Sequence, residues 1–158
     1  MKEDTAHATS AGIYKTALGV PADGLDAAIL DCWASLWTTT VLVYHERVRS
    51  SPMPAMAVVF QPMLAPQSAG VAYSRHPVTG RPDVVVINAV RGLAEPLVSG
   101  QAIPDQIVVQ TGGAPQIVER HLADADRQPA LSEMDAFMLA EQSRSIERQL
   151  GHPVDIEW

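Results

Sequence analysis

An α+β fold, a mainly antiparallel sheet flanked by helices, is predicted by the order of two hydrophobic periods along the 158 residues. A helical period comes first. Short β-rich runs separated by turn residues follow, and a second helix precedes a closing alternation.

From Leu25 to about Arg47, the apolar residues Ile29, Trp33, Leu36, Trp37 and Tyr44 recur at spacings of three, four and seven, predicting one helix with these side chains on one face. Pro21, Asp23 and Gly24 mark its start, and Ser50, Ser51, Pro52 and Pro54 its end. Ala55–Leu64 and Gly70–Ser74 read as two strands joined across Ala65-Pro66-Gln67-Ser68. Asp83–Val90, with its continuous Val84-Val85-Val86-Ile87, reads as a third strand buried on both faces.

Ile107–Gln110 and Gln116–Glu119 flank Thr111-Gly112-Gly113-Ala114 and predict a hairpin. Ser132 with Asp135 three residues on resembles a capping box for a helix over Glu133–Gln149, which Gly151 stops. Pro153–Trp158 alternates like a strand, with Asp155 and Glu157 on one side. A strand so close to the terminus is expected to lack a partner and a turn. The polar, small-residue opening reads as a loop, so the domain is expected to be truncated at both ends.

Forty-seven per cent hydrophobic and 18% charged residues are globular proportions. The formal charge of −7 offers no basic stripe for nucleic acid or anionic lipid. Arginine supplies most of the 11 basic residues, so a phosphate grip is expected from Arg forks or backbone N–H groups. The one cysteine, Cys32, lies in the helical pattern and reads as a buried structural thiol in a reducing compartment. The N-terminus has no apolar signal core, and no run nears the roughly 18 apolar residues of a membrane span. These features read as a cytoplasmic protein.

Asp155-x-Glu157 sets two carboxylates about 7 Å apart on one strand face, close enough to share a hard cation. Magnesium bridging nucleotide phosphates is one reading, and a solvated strand face the other. Ser10-Ala11-Gly12 with Tyr14 and Thr16 offers small residues and hydroxyls to a phosphate, or is a linker with an incidental glycine. Ser74-Arg75-His76-Pro77-Val78-Thr79-Gly80 is a loop after a strand, functional or a simple turn. Glu95 follows the third strand, at a strand end able to present a carboxylate to a ligand, and the residues alone leave that role open. His7, His45, His121 and His152 show no metal-ligand spacing and read as surface residues.

The order of five segments carries a resemblance: Glu3-Asp4 through Gly12, Cys32 through Trp37, Met56 through Met63, Gly70 through Gly80 with Ile87 through Gly100, and Asp155-Ile156-Glu157-Trp158. In these the chain resembles the nucleotide-binding domain of the pyruvate phosphate dikinase, phosphoenolpyruvate synthase and rifampicin phosphotransferase family. That resemblance implies an incomplete ATP-grasp fold, with residues 1–54 as phosphate-loop segment and helix and 55–158 as the sheet and helix lobe. It implies ATP and magnesium as cofactors.

By position, the resemblance assigns Gly12 and Thr16 to the ATP phosphates, Gln61 to the adenine, Asp155 and Glu157 to magnesium with Glu157 also at the nucleotide, and Glu95 to a lesser ATP contact. Arg75 falls at a position that varies among relatives. The family usually reads Gly-Leu-Gly-Glu where this chain has Gly92-Leu93-Ala94-Glu95, so the methyl of Ala94 bears on whether that glycine needs a positive backbone angle.

The family's upstream Lys and Arg, its Gln-x-Arg strand and its phosphorylatable His, which lies in a separate domain of the parent chain, find no match. The fragment is therefore expected to be inactive by itself. The expected activity is that of a parent enzyme that phosphorylates the remote His and then pyruvate, an antibiotic or a glucan. A nucleotide-binding module without catalysis is the alternative.

Overall fold

The computed structural model describes residues 12–47 and 55–158. Glu3-Asp4, His7, Ser10-Ala11 and the Ser50–Pro54 stop lie outside the described residues. The chain divides into two compact units, the first running to Leu64 and the second from Ala65 to Trp158.

In the first unit the expected single helix is two: α1 (Leu25–Ala34) and α2 (Thr39–Arg47), joined by a 3₁₀ turn at Ser35–Trp37 and bent by 49°. Side chains that compete for backbone carbonyls cause the break. Ser35 Oγ donates to the Cys32 carbonyl at 2.6 Å, and Thr38 Oγ1 to the Ser35 carbonyl at 2.9 Å. Thr38 is extended, at φ −70° and ψ 150°, and restarts the helix by accepting the Leu42 N–H. The break also redistributes the expected apolar face. Cys32, Leu36 and Val41 are buried, whereas Trp37 is 62% exposed.

The run over residues 55–64, expected as a strand, makes no strand pairing. Val59, Phe60 and Leu64 are exposed along it. Composition alone does not make a strand, because the preference is for a pleated surface with neighbours to pack against.

The second unit is a five-stranded sheet, all antiparallel, in the order β4-β3-β2-β1-β5. Its strands are β1 (Ser68–Tyr73), β2 (Val84–Arg91), β3 (Asp105–Gln110), β4 (Gln116–His121) and β5 (Asp155–Glu157). A short helix, α3 (Glu95–Val98), follows β2, and the long helix α4 (Glu133–Leu150) connects β4 to β5. Val84 to Ile87 are buried on both faces, as their continuous apolar run requires. The β3–β4 hairpin forms where expected, with a register shift between Val108 and Val109.

The Ser132 hydroxyl accepts the Asp135 N–H at 3.2 Å, and Gly151 stops α4 at φ 75°. Along α4 the buried positions Ala136, Ala140, Ser143 and Glu147 form one stripe. Its alanines pack on Ala72, Val85, Ile87, Ala89, Ile107 and Val109, the even-numbered positions of β1 and odd positions of β2 and β3 that share one sheet face. Asp105, at the start of β3, pins the loop before α4. Its two carboxylate oxygens accept the N–H groups of Ala123 at 2.9 Å and Ala130 at 2.7 Å.

β5 is not unpartnered. It pairs with β1, Val71 opposite Glu157 and Tyr73 opposite Asp155, and Gly70 and Trp158 exchange both backbone hydrogen bonds at 3.0 Å.

Gly70 is required by close approach, because a Cβ there would meet the Asn88 carbonyl oxygen at 1.9 Å and the Trp158 ring at 3.0 Å. Gly70→Ala is expected to destabilise the protein by about 1–3 kcal/mol or more. Gly113→Ala, where a Cβ meets nothing within 4 Å, is expected to be near neutral. Urea unfolding midpoints of the two variants check the contrast.

Candidate nucleotide and metal site

The first unit carries a cleft of about 1000 Å³. Gly12 and Thr16, from one short segment, and Gln61, far along the chain from them, all line it. The segment from Gly12 to Val20 is held against α1 by hydrogen bonds from its backbone. The Lys15 N–H donates to Ser35 Oγ at 3.2 Å, and Cys32 Sγ donates to the Lys15 carbonyl at 3.4 Å. The Trp33 indole N–H donates to the Met56 carbonyl at 3.2 Å, tying the segment that carries Gln61 to the same helix. Cys32 is thus the buried structural thiol expected of it.

Gly12 adopts φ 72°, a left-handed angle that a side chain would strain. Thr16 and Gln61 are exposed, so their hydroxyl and amide are free to meet a ligand. Sequence reasoning missed Lys15, which also lines the cleft. Its ammonium pairs with Asp31 at 2.6 Å, and that hydrogen bond raises its pKa above the usual value. Its adjacency to Thr16 was the available signal.

In the second unit, the strand register puts Asp155 and Glu157 on the sheet face opposite α4. Both are exposed, and Ile156 between them is partly buried. The row through Glu157 continues across Val71 to Asn88 and Gln106, and Gln106 Nε2 donates to Asn88 Oδ1 at 3.2 Å. A polar residue within the otherwise apolar Val84–Val90 run was the sequence signal for this second missed feature.

Two alternate carboxylates on an open strand face fit magnesium, which takes one or two carboxylates and fills its other positions with water and phosphate oxygens. Among the described residues no group of three or more His, Cys, Asp or Glu gathers as a self-sufficient metal cage. Glu95 begins α3 and is exposed. Ala94 before it sits at φ −74°, so its methyl occupies an ordinary helical angle, while Gly92 holds the positive one at φ 74°.

The Ser74–Gly80 loop has its first two residues in a partly buried charged cluster. Arg75 Nε donates to Glu147 Oε1 at 2.6 Å, Arg144 pairs with Glu147 Oε2, and Arg144 Nη1 donates to the Ser74 carbonyl at 3.1 Å. Arg75 is therefore tied to α4. Glu147 is only 7% exposed at its side chain. Burial pushes its carboxyl up, but hydrogen bonds from Arg75 and Ser74 and the charges of Arg144 and Arg75 outweigh it, and its pKa falls below the usual 4.5. His76 caps its own loop, accepting the Val78 and Thr79 N–H groups at Nδ1.

The first unit by itself carries a cleft of ligand size, and the second by itself a strand with paired exposed carboxylates. The chain belongs to the family of the pyruvate phosphate dikinase AMP/ATP-binding domain, whose model matches residues 1–158. It is 36% identical over 182 residues to a rifampicin phosphotransferase of Streptomyces sviceus, covering 99% of this chain and 20% of that protein. It is 34% identical over 203 residues to a phosphoenolpyruvate synthase of Aeropyrum pernix, covering 99% and 25%. The rifampicin phosphotransferase of Bacillus subtilis matches at 33% over 181 residues, covering 99% and 20%. The chain thus spans a fifth to a quarter of the length of these curated relatives.

Because the folded pKa of Glu147 lies below its unfolded value, its ionised form contributes stability that is fully present above about pH 4.5 and is lost as pH falls through the folded pKa. Glu147→Gln is expected to cost about 1–3 kcal/mol at neutral pH and to flatten that acidic limb. Denaturant titrations between pH 3 and pH 7 measure both effects.

Proposed function

We propose that this chain is the ATP- and magnesium-binding part of a phosphoenolpyruvate-utilising phosphotransferase, built on an ATP-grasp fold. The observation that carries the reading is the convergence of Gly12, Thr16 and Gln61 on one cleft. They come from two segments far apart in sequence, Gly12 and Thr16 from one and Gln61 from the other, and each matches a nucleotide-contact position of the family.

Gly12 lets the backbone approach phosphate oxygens, and the Thr16 hydroxyl donates to them. The Gln61 amide both donates to and accepts from the adenine edge. Asp155 and Glu157 hold magnesium, and Glu95 adds a carboxylate near the end of β2. Magnesium supplies charge neutralisation on the phosphates when bound. The protein's part in phosphoryl transfer is then to position and to stabilise charge rather than to form bonds itself.

The residue that receives the phosphoryl group is a His in another domain of the parent chain, which passes it to pyruvate or another acceptor. The names of the relatives, a rifampicin phosphotransferase and a phosphoenolpyruvate synthase, support a transferase and leave the acceptor open.

In the full-length parent, Glu157→Gln is expected to lower ATP-driven transfer at least 100-fold while moving the thermal midpoint by no more than a few degrees, since Glu157 is exposed. Unchanged transfer would remove Glu157 from the site. Absence of any magnesium-dependent ATP binding by the wild-type parent would overturn the function itself.

A further inference from the structure

Asp155 and Glu157 sit on a strand only three residues long, so its placement depends on what holds its two ends. At the far end Trp158 exchanges both backbone hydrogen bonds with Gly70. At the near end Val154, the residue before Asp155, is held by one residue, Ser74. The Ser74 N–H donates to the Val154 carbonyl, and the Ser74 hydroxyl accepts the Val154 N–H, each at 2.9 Å. Ser74 is wholly buried.

Ser74 is itself fixed from α4. Its carbonyl accepts from Arg144 Nη1 at 3.1 Å, and the same guanidinium pairs with Glu147, whose other oxygen accepts from Arg75 Nε. An unbroken series of polar contacts therefore runs from the last turns of α4 through Glu147 and Arg144 to Ser74, and from Ser74 to the residue that leads into the paired carboxylates.

We infer that Ser74, oriented by Arg144 and Glu147, is a positioning residue for the metal-binding carboxylates, setting where Asp155 and Glu157 present their oxygens. The inference rests on the reading that those two carboxylates hold magnesium. Without the Ser74 hydroxyl, the Val154 N–H loses its acceptor, and a three-residue strand has few other bonds to hold its start in place. A displacement near 1 Å at a metal–phosphate site is enough to cost a large factor in rate, on the order of 100-fold.

The test uses the full-length parent with magnesium and ATP, comparing Ser74→Ala, Ser74→Thr, Glu147→Gln, Glu157→Gln and Arg120→Ala. Arg120→Ala breaks an ion pair to Glu133 at the opposite end of α4 and serves as a stability control. The readouts are the magnesium concentration for half-maximal ATP turnover, kcat and the thermal midpoint. Ser74→Ala is expected to raise the magnesium requirement about tenfold and to lower kcat. Ser74→Thr, which keeps the hydroxyl, restores most of the magnesium response, and Glu147→Gln shifts it in the same direction as Ser74→Ala. Arg120→Ala leaves the magnesium response unchanged.

The inference is overturned if Ser74→Ala and Glu147→Gln lower the thermal midpoint yet keep the wild-type magnesium response while Glu157→Gln alters it. If Ser74→Ala does not fold, Glu147→Gln decides by the same criterion. A magnesium response that Glu157→Gln leaves unchanged overturns the metal reading itself, and the positioning role with it.

Discussion

One topological constraint governs the second unit: β4 and β5 lie on opposite edges of the sheet, so the chain between them has to cross three strands. Four strand spacings are about 19 Å. An 18-residue helix is about 27 Å long, and α4 makes the crossing in one piece. Crossing on one face makes that face the larger core; Val84, Val86 and Val108 are buried on the opposite face, and at its edge β5 presents its exposed carboxylates. Small residues at Ala136, Ala140 and Ser143 let the helix lie close on the sheet, and the apolar floor beneath it is almost wholly buried.

The stripe ends in a charge. Ionised pairs taken out of water return little net stability relative to an apolar set replacing all of them, because desolvation cancels most of their attraction, but removing Glu147 alone would leave the Arg75 and Arg144 guanidiniums unpaired. Hydrogen bonds, unlike apolar contacts, have direction. Glu147 sits against two guanidiniums, one of which also donates to the Ser74 carbonyl, so the cluster fixes orientation at the point where the chain turns from α4 into β5. The carboxylate there therefore serves geometry as well as stability.

The sequence made legible whatever a local rule decides. The burial of Val84–Ile87, the Ser132–Asp135 cap, the Gly151 stop and the shared face of Asp155 and Glu157 each follow from a few neighbouring residues. It failed where the deciding partner is remote. The apolar spacing ran through Thr38, but hydroxyl-to-carbonyl bonds at Ser35 and Thr38 interrupt the helix there. The residues from 55 to 64 have strand composition without a strand to pair with, and β5 has a partner, β1, far back in the chain. Glu147 read as one more polar residue on a helix, since nothing nearby in sequence shows that Arg75 lies against it. Of the site, Gly12 and Thr16 were an open candidate from their own residue types and Gln61 was visible only through resemblance, and the structure adds that the three line a common cleft.

The Gly92-Leu93-Ala94-Glu95 segment shows why a departure from a family pattern has to be judged by backbone angle rather than by letter. Gly92 has φ 74°, and its N–H donates to the Gln67 carbonyl at 3.0 Å, so a side chain there would strain the turn. Ala94 has φ −74°, and its carbonyl accepts the Leu97 and Val98 N–H groups at 2.9 and 3.0 Å, so it already belongs to the first turn of α3. Alanine at 94, the N-cap of the helix that carries Glu95, therefore asks the backbone for no angle it resists. A missing second glycine is, on this ground, no argument for a module that has lost its chemistry. A missing Gly92 would have been.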